Sequence, residues 1–114
     1  QLKRNNKIEI RNVSTKRDFI HVRDIAVFVK CLLEYKSDFD VFNVGSGQSK
    51  SIGEVISLVE EIIDKKLQIT QTDKNFYDPV SDCFADIRKA KEKLNWHPSV
   101  NMKEGLTELI KEFI

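Results

Sequence analysis

The chain has 114 residues, 40% hydrophobic, 9% aromatic and 32% charged, enough for one modest core and too few for two. Its 19 Lys and Arg against 18 Asp and Glu leave a net charge of +1, so no global field draws it to nucleic acid or a membrane surface. The apolar residues are plentiful and periodic, which excludes intrinsic disorder, and no apolar run approaches the ~20 residues that span a bilayer.

Ile8 and Ile10 alternate with polar neighbours, which predicts a first strand. Asn12 to Lys16 reads as a polar turn, and Phe19 to Val22 as a second short strand. Ile25, Phe28, Val29, Leu32 and Leu33 then recur at helical spacing, with Asp24 as the expected N-cap and an end near Tyr35. Val41 to Val44 is β-rich and stopped by Gly45, which predicts a buried strand. Ser51 and Glu54 have capping-box spacing ahead of Ile52, Val55, Ile56, Val59, Ile62 and Ile63, the most strongly patterned helix of the chain. Leu67 and Ile69 alternate with Gln68 and Thr70 as a further strand.

Between Asp73 and Cys83 the periodicity stops, and a long aromatic, acidic loop carries Asn75, Phe76, Tyr77, Asp78 and Pro79. Asp86 is placed to cap a short helix with Ile87, Ala90 and Leu94 on one side, broken by Trp96, His97 and Pro98. Asn101 and Glu104 open a last helix through Met102, Leu106, Leu109, Ile110 and Phe113. Short strands alternating with helices make this an α/β fold.

Cys31 and Cys83 are far apart, form no C-x-x-C pair, and with two scattered histidines give no metal-ligand spacing. Reduced thiols in a cytoplasmic protein are the expected reading. The chain begins at Gln1 and its only methionine is Met102, with no signal-peptide pattern. At the other end the helical pattern runs into Ile114 without a Gly or Asn stop. Both ends read as those of a piece of a longer protein.

Arg17 and Asp18 form a charged pair at the mouth of a strand, ahead of a helix. A guanidinium there can grip two phosphate oxygens; on composition alone, a surface Arg paired with a nearby carboxylate is favoured. His21, flanked by Ile20 and Val22 with no Ser or Cys partner, reads as a hydrogen-bonded structural histidine. Asn43-Val44-Gly45-Ser46-Gly47 is neither G-x-G-x-x-G nor a Walker loop. It reads as a tight turn with glycines at positive φ rather than a phosphate cradle. Trp96 reads as a core anchor beneath the last two helices.

Several stretches together resemble the C-terminal part of nucleotide-sugar epimerases and dehydratases of the extended short-chain dehydrogenase/reductase family, the UDP-glucose 4-epimerase type in particular. They are Arg17-Asp18-Phe19-Ile20-His21-Val22-x-Asp24-Ile25-Ala26, Phe42-Asn43-Val44-Gly45-Ser46-Gly47 and Ser51-x-x-Glu54-Val55. Ala85-Asp86-Ile87-x-Lys89-Ala90, Leu94-x-Trp96-x-Pro98 and Glu104-Gly105-Leu106 follow in the family's order. The resemblance implies that residues 1–114 are a single substrate-binding domain, whose parent carries a separate N-terminal Rossmann domain for NAD or NADP. The family's glycine-rich loop and Tyr-x-x-x-Lys pair do not occur here, so no cofactor and no catalytic residue are expected in this piece.

The resemblance further implies that Arg17 contacts the diphosphate of a nucleotide-diphosphate sugar, a UDP-sugar in the nearest type. A second family site has the pattern R-x-x-D, its Arg meeting phosphate and its Asp the ribose. Here that spacing gives Asn75-x-x-Asp78, so the Asp is kept and the Arg is not, with one extra residue before Ala85. Lys74 is a point-charge substitute. Counting back from Ala85-Asp86, Cys83 falls on the family position whose bulk gates the sugar pocket. The family's strand at Asn43 joins the Rossmann sheet, so in its absence an exposed edge favours a homodimer. The alternative is a non-catalytic binding or interaction module descended from the same family.

Overall fold

The computed structural model describes residues 6–73 and 75–113. The expectations placed on Gln1, Lys74 and Ile114 fall outside them. Strand β1 (Lys7–Ile10) pairs in parallel with β4 (Gln68–Gln71), Ile8 opposite Ile69. Strand β2 (Lys16–Asp18) pairs antiparallel with β3 (Ser49–Ser51). Four helices complete the α/β fold: α1 (Val22–Glu34), α2 (Ile52–Ile63), α3 (Arg88–Leu94) and α4 (Met102–Phe113).

Local chemistry fixes most boundaries. Ser51 Oγ accepts from Glu54 N at 3.1 Å while the Glu54 carboxylate accepts from Ser51 N at 2.7 Å, so the capping box opens α2 as its spacing predicts. Asp64 ends that helix in the left-handed region, at φ 52°. Asn101 Oδ1 accepts from Glu104 N at 2.9 Å and starts α4. The main core gathers Phe28 from α1, Ile87, Ala90 and Trp96, with Phe42, Val44 and Ala85 packed against it. Trp96 is 2% exposed, meets the Phe28 ring edge-on at 5.0 Å, and donates its indole N–H to the Asp24 carbonyl at 3.1 Å.

Several expectations need correction. The second strand is Lys16–Asp18 rather than Phe19–Val22, because its ladder partner ends at Ser49; Val22 already belongs to α1. The N-cap of α1 is His21, whose Nδ1 accepts from Arg23 N at 3.2 Å, and not Asp24. This is a structural role for His21, as read. Asp86 does not occupy the N-cap of α3, which is Ile87. Its carboxylate instead accepts from Arg88 N at 3.1 Å and from the Arg88 guanidinium at 2.6 Å, and that guanidinium holds the carboxyl down to about 2.

Val41–Val44 forms no strand among the described residues, since a strand needs a ladder partner and no described strand pairs with it. Phe42 and Val44 still face the core, while Val41 is 62% exposed. Lys89 holds the segment from α3, donating to the Val41 carbonyl at 2.8 Å and to the Asp40 carboxylate. Strand β3 was not expected, because Ser49-Lys50-Ser51 has no apolar residue to signal it.

Asp24, 2% exposed, lies in the first turn of α1. Its carboxylate accepts from Ser99 N at 2.9 Å, Ser99 Oγ at 2.8 Å and Val100 N at 3.1 Å. Burial alone would raise this carboxyl, but the Ser99 and Val100 donors outweigh it and hold it below 3.8. A depressed folded value contributes stability that is present above the unfolded value and is lost as pH falls through the folded one. Asp24→Ala strands buried donors and should cost about 3 kcal/mol in urea unfolding at pH 7. Below pH ~4 the gap between the wild type and Asp24→Ala should narrow; a gap unchanged down to pH 2 contradicts the assignment.

Candidate functional site

Strand β2 sends adjacent side chains to opposite faces, and its last two residues do opposite things. Asp18 turns inward. Its carboxylate accepts from Ser46 N at 2.7 Å, from Ser46 Oγ, from Gly47 N at 3.0 Å and from Ala85 N at 3.0 Å. Burial pushes this carboxyl up, and those donors more than reverse the push, leaving it below 3.8. The turn at Gly45-Ser46-Gly47 is therefore wrapped around a carboxylate.

That arrangement refines the reading of the glycines. Only Gly47 has positive φ, at 76°. Gly45 is required for close approach instead, since a Cβ there would lie 2.5 Å from Asp18 Oδ2 and 2.7 Å from the Ala85 Cβ. The Ser46 and Gly47 amides that a phosphate cradle would need already donate to Asp18. This turn therefore does not fit a dinucleotide pyrophosphate. Nor does any group of three or more His, Cys, Asp or Glu able to hold a metal occur among the described residues.

Arg17 turns to the other face of the ribbon. Its Nη2 donates to Asp78 Oδ2 at 2.7 Å, and its Nη1 to the carbonyls of Lys16 and Val80, both at 2.7 Å. The guanidinium is thus held in a fixed plane, with 38% of the side chain still exposed. Asp78 in turn accepts from Val80 N at 2.9 Å; that bond first, and the Arg17 guanidinium after it, hold the Asp78 carboxyl below 3.8 against the opposing effect of burial.

The structure brings two of the expected site residues, Arg17 and Asp78, into contact across 61 positions of sequence. The carboxylate partner foreseen for Arg17 on composition is Asp78 itself. Asn75 is exposed on the same loop, which is fastened just after β1, where Asn12 Nδ2 donates to the Phe76 carbonyl at 3.2 Å and Arg11 lies over the Phe76 ring at 4.7 Å. Cys83 is an exposed free thiol, and Cys31 is also unpaired. Neither Asn75 nor Cys83 bonds to Arg17 in the described residues. Sequence reasoning missed the part played by Asp18, although its signal was present: an acid beside Arg17 and a glycine turn rich in free amides.

Comparison with known proteins agrees with this architecture. The family model for GDP-mannose 4,6 dehydratase matches residues 1–109. The dTDP-4-dehydro-6-deoxyglucose reductase of Escherichia coli is 34% identical over 106 residues, covering 90% of this chain and 32% of that protein. The structure of RMD from Pseudomonas aeruginosa complexed with NADPH superposes with a TM-score of 0.88 at 25% identity, covering 96% of this chain and 36% of that one. UDP-glucose 4-epimerase from Thermotoga maritima with UDP-glucose gives 0.78 at 29% identity, covering 94% and 34%. The chain spans about a third of the length of the curated relatives it matches. No described helix is long and apolar enough to cross a membrane.

Proposed function

The chain belongs to the GDP-mannose 4,6 dehydratase family, and we propose from that premise that it is the part of a nucleotide-sugar epimerase or dehydratase that binds the nucleotide-diphosphate sugar. On this reading a separate dinucleotide-binding domain holds NAD or NADP and carries the catalytic groups. The NADPH of the Pseudomonas neighbour and the UDP-glucose of the Thermotoga one support a reading with both a nicotinamide cofactor and a nucleotide sugar and favour a UDP-sugar as ligand. Free thiols at Cys31 and Cys83 favour a cytoplasmic setting.

Arg17 carries the proposal. A guanidinium fixed on one edge by Asp78 and two carbonyls, with 38% of its side chain open to solvent, is preorganised to receive phosphate oxygens. Asp78 serves twice, orienting Arg17 and offering an acceptor for a ribose hydroxyl. Asn75 supplies a neutral amide where the family pattern has a cation, the one departure that favours a non-catalytic binding module as the second reading. Cys83 is small and exposed, so the sugar pocket admits an N-acetyl group.

Two outcomes follow for the full-length protein and one for the isolated 114-residue chain. Calorimetry with UDP should show Arg17→Ala weakening binding by about 1.5–3 kcal/mol; unchanged affinity removes Arg17 from the site. Cys83→Tyr should lower kcat/KM for UDP-N-acetylglucosamine relative to UDP-glucose by about tenfold, the scale of overpacking a fitted pocket; an unmoved ratio rules out gating. The unladdered backbone at Val41–Val44 favours self-association of the isolated 114-residue chain, so light scattering at high concentration should report a dimer, and a strict monomer contradicts it.

A further inference from the structure

We infer that Lys50 is the second cation of the diphosphate site, facing the ligand from the strand opposite Arg17. The inference rests on the reading of Arg17 as a phosphate anchor and adds a residue to it.

Register is the first observation. In the β2–β3 ladder Arg17 lies directly opposite Lys50. Residues opposite one another in an antiparallel pair share a face, with Cβ atoms about 4.5–5.5 Å apart. Phe19 and Gln48, two positions away on either side, continue that face by strand alternation. Phe19, Gln48 and Lys50 indeed line one cleft of about 440 Å³, floored by Leu58 and Met102. Lys50, opposite Arg17 in the ladder, therefore borders a cavity large enough for part of a small ligand.

Charge balance is the second. Two cations directly opposite each other repel, and only one of this pair is neutralised. Arg17 is matched by Asp78 at 2.7 Å. Lys16, on the other face of the ribbon, has Asp82 at 4.0 Å. Lys103, which borders the same cleft, is matched by Glu61 at 2.6 Å. No described carboxylate lies within ion-pair distance of Lys50. Glu54, which feels the Lys50 charge, already has its carboxylate bonded to Ser51 N. Lys50 is thus an uncompensated charge on this face among the described residues.

Ligand chemistry is the third. A nucleoside-diphosphate sugar carries one negative charge on each phosphate, and Arg17 with Asp78 forms a net-neutral pair. Asn75 adds no charge. A further cation on the same face would add the missing attraction, and among the described residues Lys50, opposite Arg17, is placed to supply it as a mobile ammonium on a long stem rather than a bidentate fork.

Titration of the full-length protein with UDP, and in parallel with uridine, tests this. Lys50→Gln should weaken UDP binding on the order of tenfold, leave uridine binding and the thermal midpoint unchanged, and be largely rescued by Lys50→Arg. If Arg17→Ala weakens UDP binding while Lys50→Gln does not, the inference about Lys50 falls and the reading of Arg17 stands. If Lys50→Gln weakens uridine as much as UDP, its role is packing and the inference falls again. If neither variant affects UDP, or if UDP, GDP and dTDP all fail to bind, the proposed function falls and takes the inference with it.

Discussion

A single carboxylate holds the site together. Asp18 gathers donors from the Gly45-Ser46-Gly47 turn and from Ala85, joining segments 28 to 67 positions away in sequence. Because side chains alternate along a strand, seating the Asp18 carboxylate in that turn puts Arg17 on the opposite face. The ribbon cannot rotate Arg17 away without pulling a charged, multiply bonded group out of its shell, and each bond to such a group is worth about 1.5–3 kcal/mol. The position of the cation is therefore set by the interior partner of its neighbour. Gly45 is part of the same constraint, since the turn closes on Asp18 only where there is no Cβ.

Asp24 repeats the device six positions on. Its carboxylate collects Ser99 and Val100, and its carbonyl receives the Trp96 indole. The segment from Arg17 to Asp24 thus has an acid at each end of its apolar stretch, one fastening the turn after Val44 and the other fastening the approach to α4. Neither acid can be exchanged for its amide without putting a donor where only acceptors fit. The spacing of the motif follows from what each end must reach.

Where local chemistry decides, the sequence was legible: the Ser51 and Glu54 box, the Asn101 cap and the apolar face of α2 all need only neighbours a few residues away. Where pairing with distant segments decides, it was not. Val41–Val44 has strand composition, but a ladder needs a partner, and none lies beside it among the described residues. Ser49-Lys50-Ser51 has no strand composition and is one, because β2 supplies the partner. The contact of Arg17 with Asp78 and the opposition of Arg17 to Lys50 are likewise products of register. A motif names Arg17 and Asp78 separately; only the folded chain shows that one orients the other.

Arg17 as the fixed phosphate anchor is the central claim, and a crystal structure of the full-length protein grown with UDP tests it most directly. The expected density puts a phosphate oxygen about 2.7–2.9 Å from the Arg17 guanidinium, with the Asp18 carboxylate still bonded to the Gly45-Ser46-Gly47 turn. A diphosphate bound away from the Arg17 face, with the guanidinium engaged only by Asp78 and the Lys16 and Val80 carbonyls, would contradict it.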